Sequence, residues 1–222
     1  AFVRTVLGDI DPVNMELVEE QEILANVFET LLATDLEGNL VPSLCEKWEV
    51  SENGTSVFFN LRENVRFQND KPLTASSVKD SFQRSINAAR ELPPGLAAIR
   101  GAAEFAKSEE TDLPAIVAHS EFRLEIQLPE PLAIYPALLT DYKTGITLKG
   151  DEEKLKNILI GTGPFQMASY SPDRIVLKRN ERYWKGSSAH LDEIEFRAGL
   201  SAAEIASGAG PVLDRHRLAE DF

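Results

Sequence analysis

From Ser56 to Arg62 the residues alternate: Val57, Phe59 and Leu61 fall on one side, and Ser56, Phe58, Asn60 and Arg62 on the other. A period of two places the first set on one face of a strand, so the segment must be half-buried in a sheet. Asn53-Gly54 just before it is a hairpin signal, with the start of a partner strand at Trp48 to Val50. The alternation returns at Phe122, Leu124, Ile126 and Leu128, set against Arg123, Glu125 and Gln127, until Pro129 and Pro131 end it. Half-buried strands need a second layer, and helical spacing elsewhere in the chain supplies it.

Val18, Ile23, Leu24, Val27, Phe28, Leu31 and Leu32 recur at helical intervals and predict one amphipathic helix over 18–32. Thr74 is a good N-cap for a second helix whose buried face is Val78, Phe82 and Ile86. Residues 2–7 read as a first strand broken by Asp11-Pro12, and 35–39 as a turn. Short helices are predicted at 132–139, interrupted by Pro136, at 151–159 with acids in the first turn, and at 201–207. Phe165 to Tyr170 and Ile175 to Arg179 form a hairpin, and Ile194 to Arg197 a further strand. The fold class is therefore mixed α/β, or α+β, with antiparallel hairpins.

Composition excludes more than it selects. The 222 residues are 43% hydrophobic and 27% charged, as in a globular chain. A net charge of −13, with Lys and Arg dispersed among the acids, argues against a nucleic-acid partner. No apolar run approaches the roughly 18 residues of a membrane span. Ala1-Phe2-Val3-Arg4 is not a signal peptide, which fits a processed or excised chain. Cys45 has no cysteine to pair with, and its setting reads as that of a small buried hydrophobe.

Motif searches point away from catalysis. Gly161-Thr162-Gly163-Pro164 lacks the third glycine of a dinucleotide fingerprint and the Gly-Lys-Ser/Thr of a phosphate loop, so it reads as a tight structural turn. His119, His190 and His216 stand far apart without metal-ligand spacing, and no GxSxG elbow occurs. No cofactor is expected. Trp48, Tyr183 and Trp184 offer stacking surface, but packing is the better use of so much buried area.

Seven segments, in order, resemble solute-binding protein family 5, the periplasmic dipeptide, oligopeptide and nickel binders of ABC transporters. They are Asp11-Pro12 with Phe28 to Leu32, Leu40 to Val50, Phe58 to Phe67, Pro72 to Val78, Gly161 to Phe165, Arg179 to Trp184, and Leu191 to Ile194. Cys45 replaces the family's alanine. Asp70 replaces the glycine of its "hdG" turn, so Asn69 or Asp70 is expected to take the positive φ.

The resemblance implies a type II periplasmic-binding-protein-like lobe with an inserted smaller α+β domain. Residues 1–42 with 160–222 would form the discontinuous lobe, residues 43–159 the inserted domain, and a C-terminal lobe would be absent. It implies binding of a small solute or peptide and hand-over to the membrane permease of an ABC transporter, without bond-making. The setting would be periplasmic or extracellular, compatible with a membrane anchor in the full-length protein. A ligand-sensing domain of a larger regulatory protein is the alternative.

Loops that follow strands commonly form binding crevices, which singles out Asp11 to Val18. By resemblance Asn14, Met15, Glu16 and Val18 are the candidate ligand residues, with Arg90 to Gly95 as a second edge. The opposing reading is a solvated acidic face of Glu16, Glu19, Glu20 and Glu22.

Overall fold

The computed structural model describes residues 2–3, 10–149, 159–171, 173–186 and 191–199. In chain order the elements are β1 (Phe2–Val3), α1 (Val18–Leu24), β2 (Leu32–Thr34), β3 (Leu40–Pro42), β4 (Cys45–Val50), β5 (Ser56–Leu61) and α2 (Ala75–Ala88). Then come α3 (Pro94–Ala97), α4 (Ala102–Phe105), β6 (Ile116–Ser120), β7 (Arg123–Gln127), α5 (Tyr135–Leu138) and β8 (Leu148–Lys149). The last are β9 (Leu159–Ile160), β10 (Phe165–Ser171), β11 (Arg174–Arg179) and β12 (Glu193–Ala198).

Two four-stranded sheets organise these elements. One is antiparallel in the order β4-β5-β7-β6. Val57, Phe59 and Leu61 are buried along β5, as the alternation requires, and Leu124 and Ile126 line up beside them on β7. Helix α2 covers that face. The Thr74 hydroxyl accepts from the Ser77 amide, and the Ser77 hydroxyl accepts from the Thr74 amide, closing the first turn. Val78, Phe82 and Ile86 are buried on the face so started and share one core with the sheet. A fully buried Phe82 stabilises this layer by about 2–3 kcal/mol through area alone, and Phe82→Ala would cost about 3–5 kcal/mol with its cavity.

The second sheet runs β1-β12-β11-β10, with β1 parallel to β12 and the other pairs antiparallel. Its apolar face (Phe165, Met167, Ile175, Leu177, Ile194, Phe196) packs with Met15, Ile23, Leu24, Val27 and Phe28 in a separate core. Two short hairpins, β2-β3 and β8-β9, complete the pairing.

The helix expected over 18–32 is corrected to α1, which stops at Leu24 with Ala25 as its C-cap. The Asn26 side chain donates to the carbonyl of Glu22 at 2.7 Å and competes with the helical ladder there. Beyond it, the carbonyls of Asn26, Val27 and Glu29 accept from the amides of Phe165, Gly163 and Ile146. A continuing helix would use those carbonyls internally, so tertiary partners outcompete local spacing.

Smaller differences follow the same rule. Pro136 lies in the first turn of α5, where it is tolerated, so it starts that helix instead of interrupting it. Elements α4 and β6 fall where sequence patterning assigned nothing, and α3 starts at Pro94, within Pro93-Pro94-Gly95, a sequence that reads as a loop. The helix expected at 151–159 is corrected at Leu159, which is in a strand; its other residues, the helix expected at 201–207 and residues 4–7 of the first strand lie outside the described residues.

Candidate functional site

Asp11 starts the loop that follows the first strand. Its carboxylate accepts from the Val13 amide at 3.2 Å and opens a 3-10 turn over Pro12–Asn14. The same carboxylate receives both nitrogens of the Arg84 fork, at 2.6 and 3.2 Å, while Arg84 Nε donates to Thr147 Oγ1 at 2.9 Å. Both charged side chains are mostly removed from solvent, so this bidentate pair fixes the loop on α2.

Asn14 then caps the far end of α2. Its Nδ2 donates to the Ala88 carbonyl at 3.2 Å, and its Oδ1 accepts from the Arg90 amide at 2.9 Å. Met15 turns inward and is buried in the second core. Glu16 turns outward and accepts from Arg90 Nη1 at 3.1 Å. The backbone is extended at Met15 and Leu17 before α1 begins. Leu17 and Val18 leave 40% and 68% of their surface exposed, an apolar pair beside a charged one.

The four residues singled out from sequence thus divide. Asn14 and Met15 hold the segment, and Glu16 and Val18 face solvent. Arg90 meets the segment through Glu16, whereas Pro93 and Gly95 of the proposed second edge are buried. The solvated acidic face is corrected at Glu20, which is buried and accepts from the amides of Glu16 and Leu17 at 2.8 and 3.1 Å. Nothing in the sequence singled out Arg84, whose helically spaced neighbours mark α2 but not its partner 73 residues away.

A groove of about 540 Å3 opens beside this loop. Ser81, Arg84, Asn87 and Ala88 of α2 wall one side, and Thr147 and Lys149 the other. Arg84 and Ala88 also anchor Asp11 and Asn14, so groove and loop share their supports. The volume falls within the range of small-molecule and peptide side-chain pockets.

A buried carboxylate lies deeper. Glu29 accepts from Thr162 Oγ1 at 2.8 Å, Tyr183 Oη at 2.8 Å and Trp184 Nε1 at 2.9 Å. Arg62 and Lys185 each approach the Trp184 ring at 4.9 Å. Burial first, then the Glu29 charge and hydrogen bond, raise the Tyr183 phenol well above its ordinary pKa. Tyr183 and Trp184 are thus packing residues whose polar atoms are spent on Glu29, as their size favours.

The Gly161–Pro164 turn is structural for a related reason. A Cβ on Gly161 would stand 1.9 Å from the Val27 carbonyl oxygen, and one on Gly163 2.7 Å from that of Asn26. Gln68 clasps the turn, accepting from the Gly161 amide and donating to the Phe165 carbonyl at 2.6 Å. Asp70 takes φ 68°, the conformation expected where the glycine was replaced. Cys45 is buried, and burial pushes its thiol up to about 12. Among the described residues no cluster of His, Cys, Asp and Glu is arranged for a metal, and no helix is long and apolar enough to cross a membrane.

Residues 39–207 match the family described as bacterial extracellular solute-binding proteins, family 5 Middle, and the chain belongs to that family. Proteins of this family are binding proteins, not enzymes. The chain is 28% identical over 200 residues to the periplasmic oligopeptide-binding protein OppA of Salmonella typhimurium, covering 84% of this chain and 36% of the relative. It is 27% identical over 194 residues to the nickel-binding periplasmic protein of Escherichia coli, covering 85% and 35%. The fold matches Haemophilus influenzae OppA, solved in complex with RPPGFSPFR, with a TM-score of 0.78 at 20% identity over 94% of this chain and 44% of the other. The architecture is therefore that of type II periplasmic binding proteins. The chain spans about a third of the length of the curated relatives it matches.

Proposed function

We propose that this chain is one side of the ligand cleft of an oligopeptide receptor serving an ABC-type importer outside the cytoplasmic membrane. The observation that carries the reading is the outward-facing Glu16–Val18 segment, extended at Leu17 where it enters α1, apolar at Leu17 and Val18, and seated beside the α2 groove. With the amides of Glu16 and Leu17 taken up by Glu20, it is the outward side chains of this lip that are offered to a peptide. Glu16 supplies a negative charge for an ammonium group, and Val18 an apolar contact. Asn14 and Met15 act as positioning residues within the same site.

In this reading residues 1–42 and 160–222 form one lobe, to which the whole second core belongs, and 43–159 form an inserted domain whose core also takes in Val13, Leu31, Leu32 and Ile160 of that lobe. A second lobe of the full-length protein closes over the Glu16–Val18 lip by hinge motion and presents the loaded receptor to the membrane permease. The names of the oligopeptide- and dipeptide-binding relatives favour peptides, while the nickel-binding relative keeps a small solute as the broader class.

The test is thermal denaturation of the full-length protein with a mixture of di- to hexapeptides. A ligand of the native state raises the melting temperature by mass action. A rise with peptides that Glu16→Ala diminishes is the expected result. A rise only with a metal chelate or another small solute contradicts the peptide assignment.

A further inference from the structure

Arg84 ties three segments together. Its fork closes on the Asp11 carboxylate, Nε donates to Thr147 Oγ1, and Nη2 also donates to Ser85 Oγ at 2.9 Å. The Arg84 and Asp11 side chains keep only 14% and 16% of their surface exposed. With each nitrogen engaged, the planar fork accepts one geometry, which an ammonium would not reproduce. From Asp11 the loop continues through a bonded turn: the Asn14 amide donates to the Asp11 carbonyl and the Met15 amide to that of Pro12. Asn14 adds a second support, but at the exposed end of α2. The Asp11–Arg84 pair is the more enclosed of the two, and the Glu16–Val18 lip follows a few residues on.

We infer that Arg84 is a positioning residue for ligand binding, which sets the affinity of the Glu16–Val18 lip by holding Asp11 and does not touch the ligand itself. The inference rests on the ligand reading of that lip proposed above. A lip already seated spares the ligand the ordering cost, whereas a lip seated in a fraction of the molecules weakens apparent binding by that fraction. The pair can be removed with little loss of fold, because the cost of desolvating two opposite charges offsets much of their attraction. Asp11→Asn retains an oxygen to accept from the Val13 amide, and Arg84→Met retains the apolar stem. Ser81 Oγ and Thr147 Oγ1, 3.4 Å apart, keep each other as partners. What the double substitution removes is the tie between α2 and the loop.

The experiment compares the full-length wild type with the Asp11→Asn, Arg84→Met double variant. Without peptide the two are expected to melt at similar temperatures, while the amides of residues 13–17 exchange faster in the variant. With the di- to hexapeptide mixture, the variant is expected to need about tenfold more peptide for the same rise in melting temperature. Asp11→Asn alone serves if the double variant does not fold, and should move exchange and affinity in the same directions. Wild-type affinity in either variant overturns the role of Arg84 and leaves the peptide reading standing. So does lost affinity with unchanged exchange at 13–17, which would make Arg84 a direct contact. A wild type that responds to no peptide in the mixture overturns both.

Discussion

Glu29 and Thr162 lie 133 residues apart in the chain and meet in a 2.8 Å hydrogen bond between a hydroxyl and a buried carboxylate. With Tyr183 and Trp184 on the same carboxylate, three distant segments close on a single group. A buried charge is tolerated only when its lone pairs are satisfied, so each donor depends on the others. Glu29→Gln keeps the volume but turns a donor toward donors. It should lower the unfolding free energy by about 2–4 kcal/mol, read from urea midpoints. A loss no larger than that of a surface substitution would deny the network its role.

The same network fixes an alkaline sensitivity. The folded-state pKa of Tyr183 is raised above its unfolded value, so its contribution is fully present below the unfolded pKa of about 10 and is lost as the pH climbs through the folded one. Tyr135 and Tyr142, also raised by burial, act in the same direction. Stability measured between neutral pH and pH 11 should therefore fall above pH 10 or so, and Tyr183→Phe should make that fall shallower. An unchanged slope in the variant would assign the sensitivity elsewhere.

Gly161 and Gly38 separate two reasons for glycine. Gly161 has the Val27 carbonyl where a Cβ would stand, whereas Gly38 has φ 83° and open space around it. Gly161→Ala should cost about 4 kcal/mol or more, because backbone must move. Gly38→Ala should cost about 1 kcal/mol, the left-handed penalty alone. Equal costs in chemical denaturation would contradict the close approach.

Asp70 tests the substituted turn. Its carboxylate pairs with Arg182 at the surface and its backbone holds φ 68°. Asp70→Gly removes the ion pair but relieves the backbone, so its melting temperature should stay within about 2 °C of wild type. Asp70→Ala removes the pair and keeps the strain, and should fall by about 2–4 °C. Equal losses would mean that the ion pair matters and the backbone does not.

Much of the fold was legible in the sequence because its signals are local. The Thr74–Ser77 capping pair, the Asn53-Gly54 turn and the alternation along β5 and β7 each act within a few residues. Residues 25–31 were not legible. Val27 and Phe28 keep helical spacing after Ala25, but their burial comes from the second sheet while the carbonyls of Asn26 and Val27 serve the Gly161–Phe165 turn. On edge strand β6 His119 is half-exposed, while Glu125 of β7, which its side chain meets, is buried, so polarity alone misplaces both. At the candidate site the loop could be located from its place after Asp11-Pro12. That Asn14 turns to the end of α2 and Glu16 to Arg90 depends on contacts more than 70 residues away, and Met15 turns into the second core, none of which a local pattern encodes.

Hydrogen exchange of the full-length protein, with and without a saturating peptide mixture, tests the central claim most directly. If residues 16–18 form the ligand-facing lip, their amides and those around Arg90 should slow on peptide addition beyond any change at the buried centre of α2. Peptide binding that leaves 16–18 and 90 exchanging as before would contradict this placement of the site.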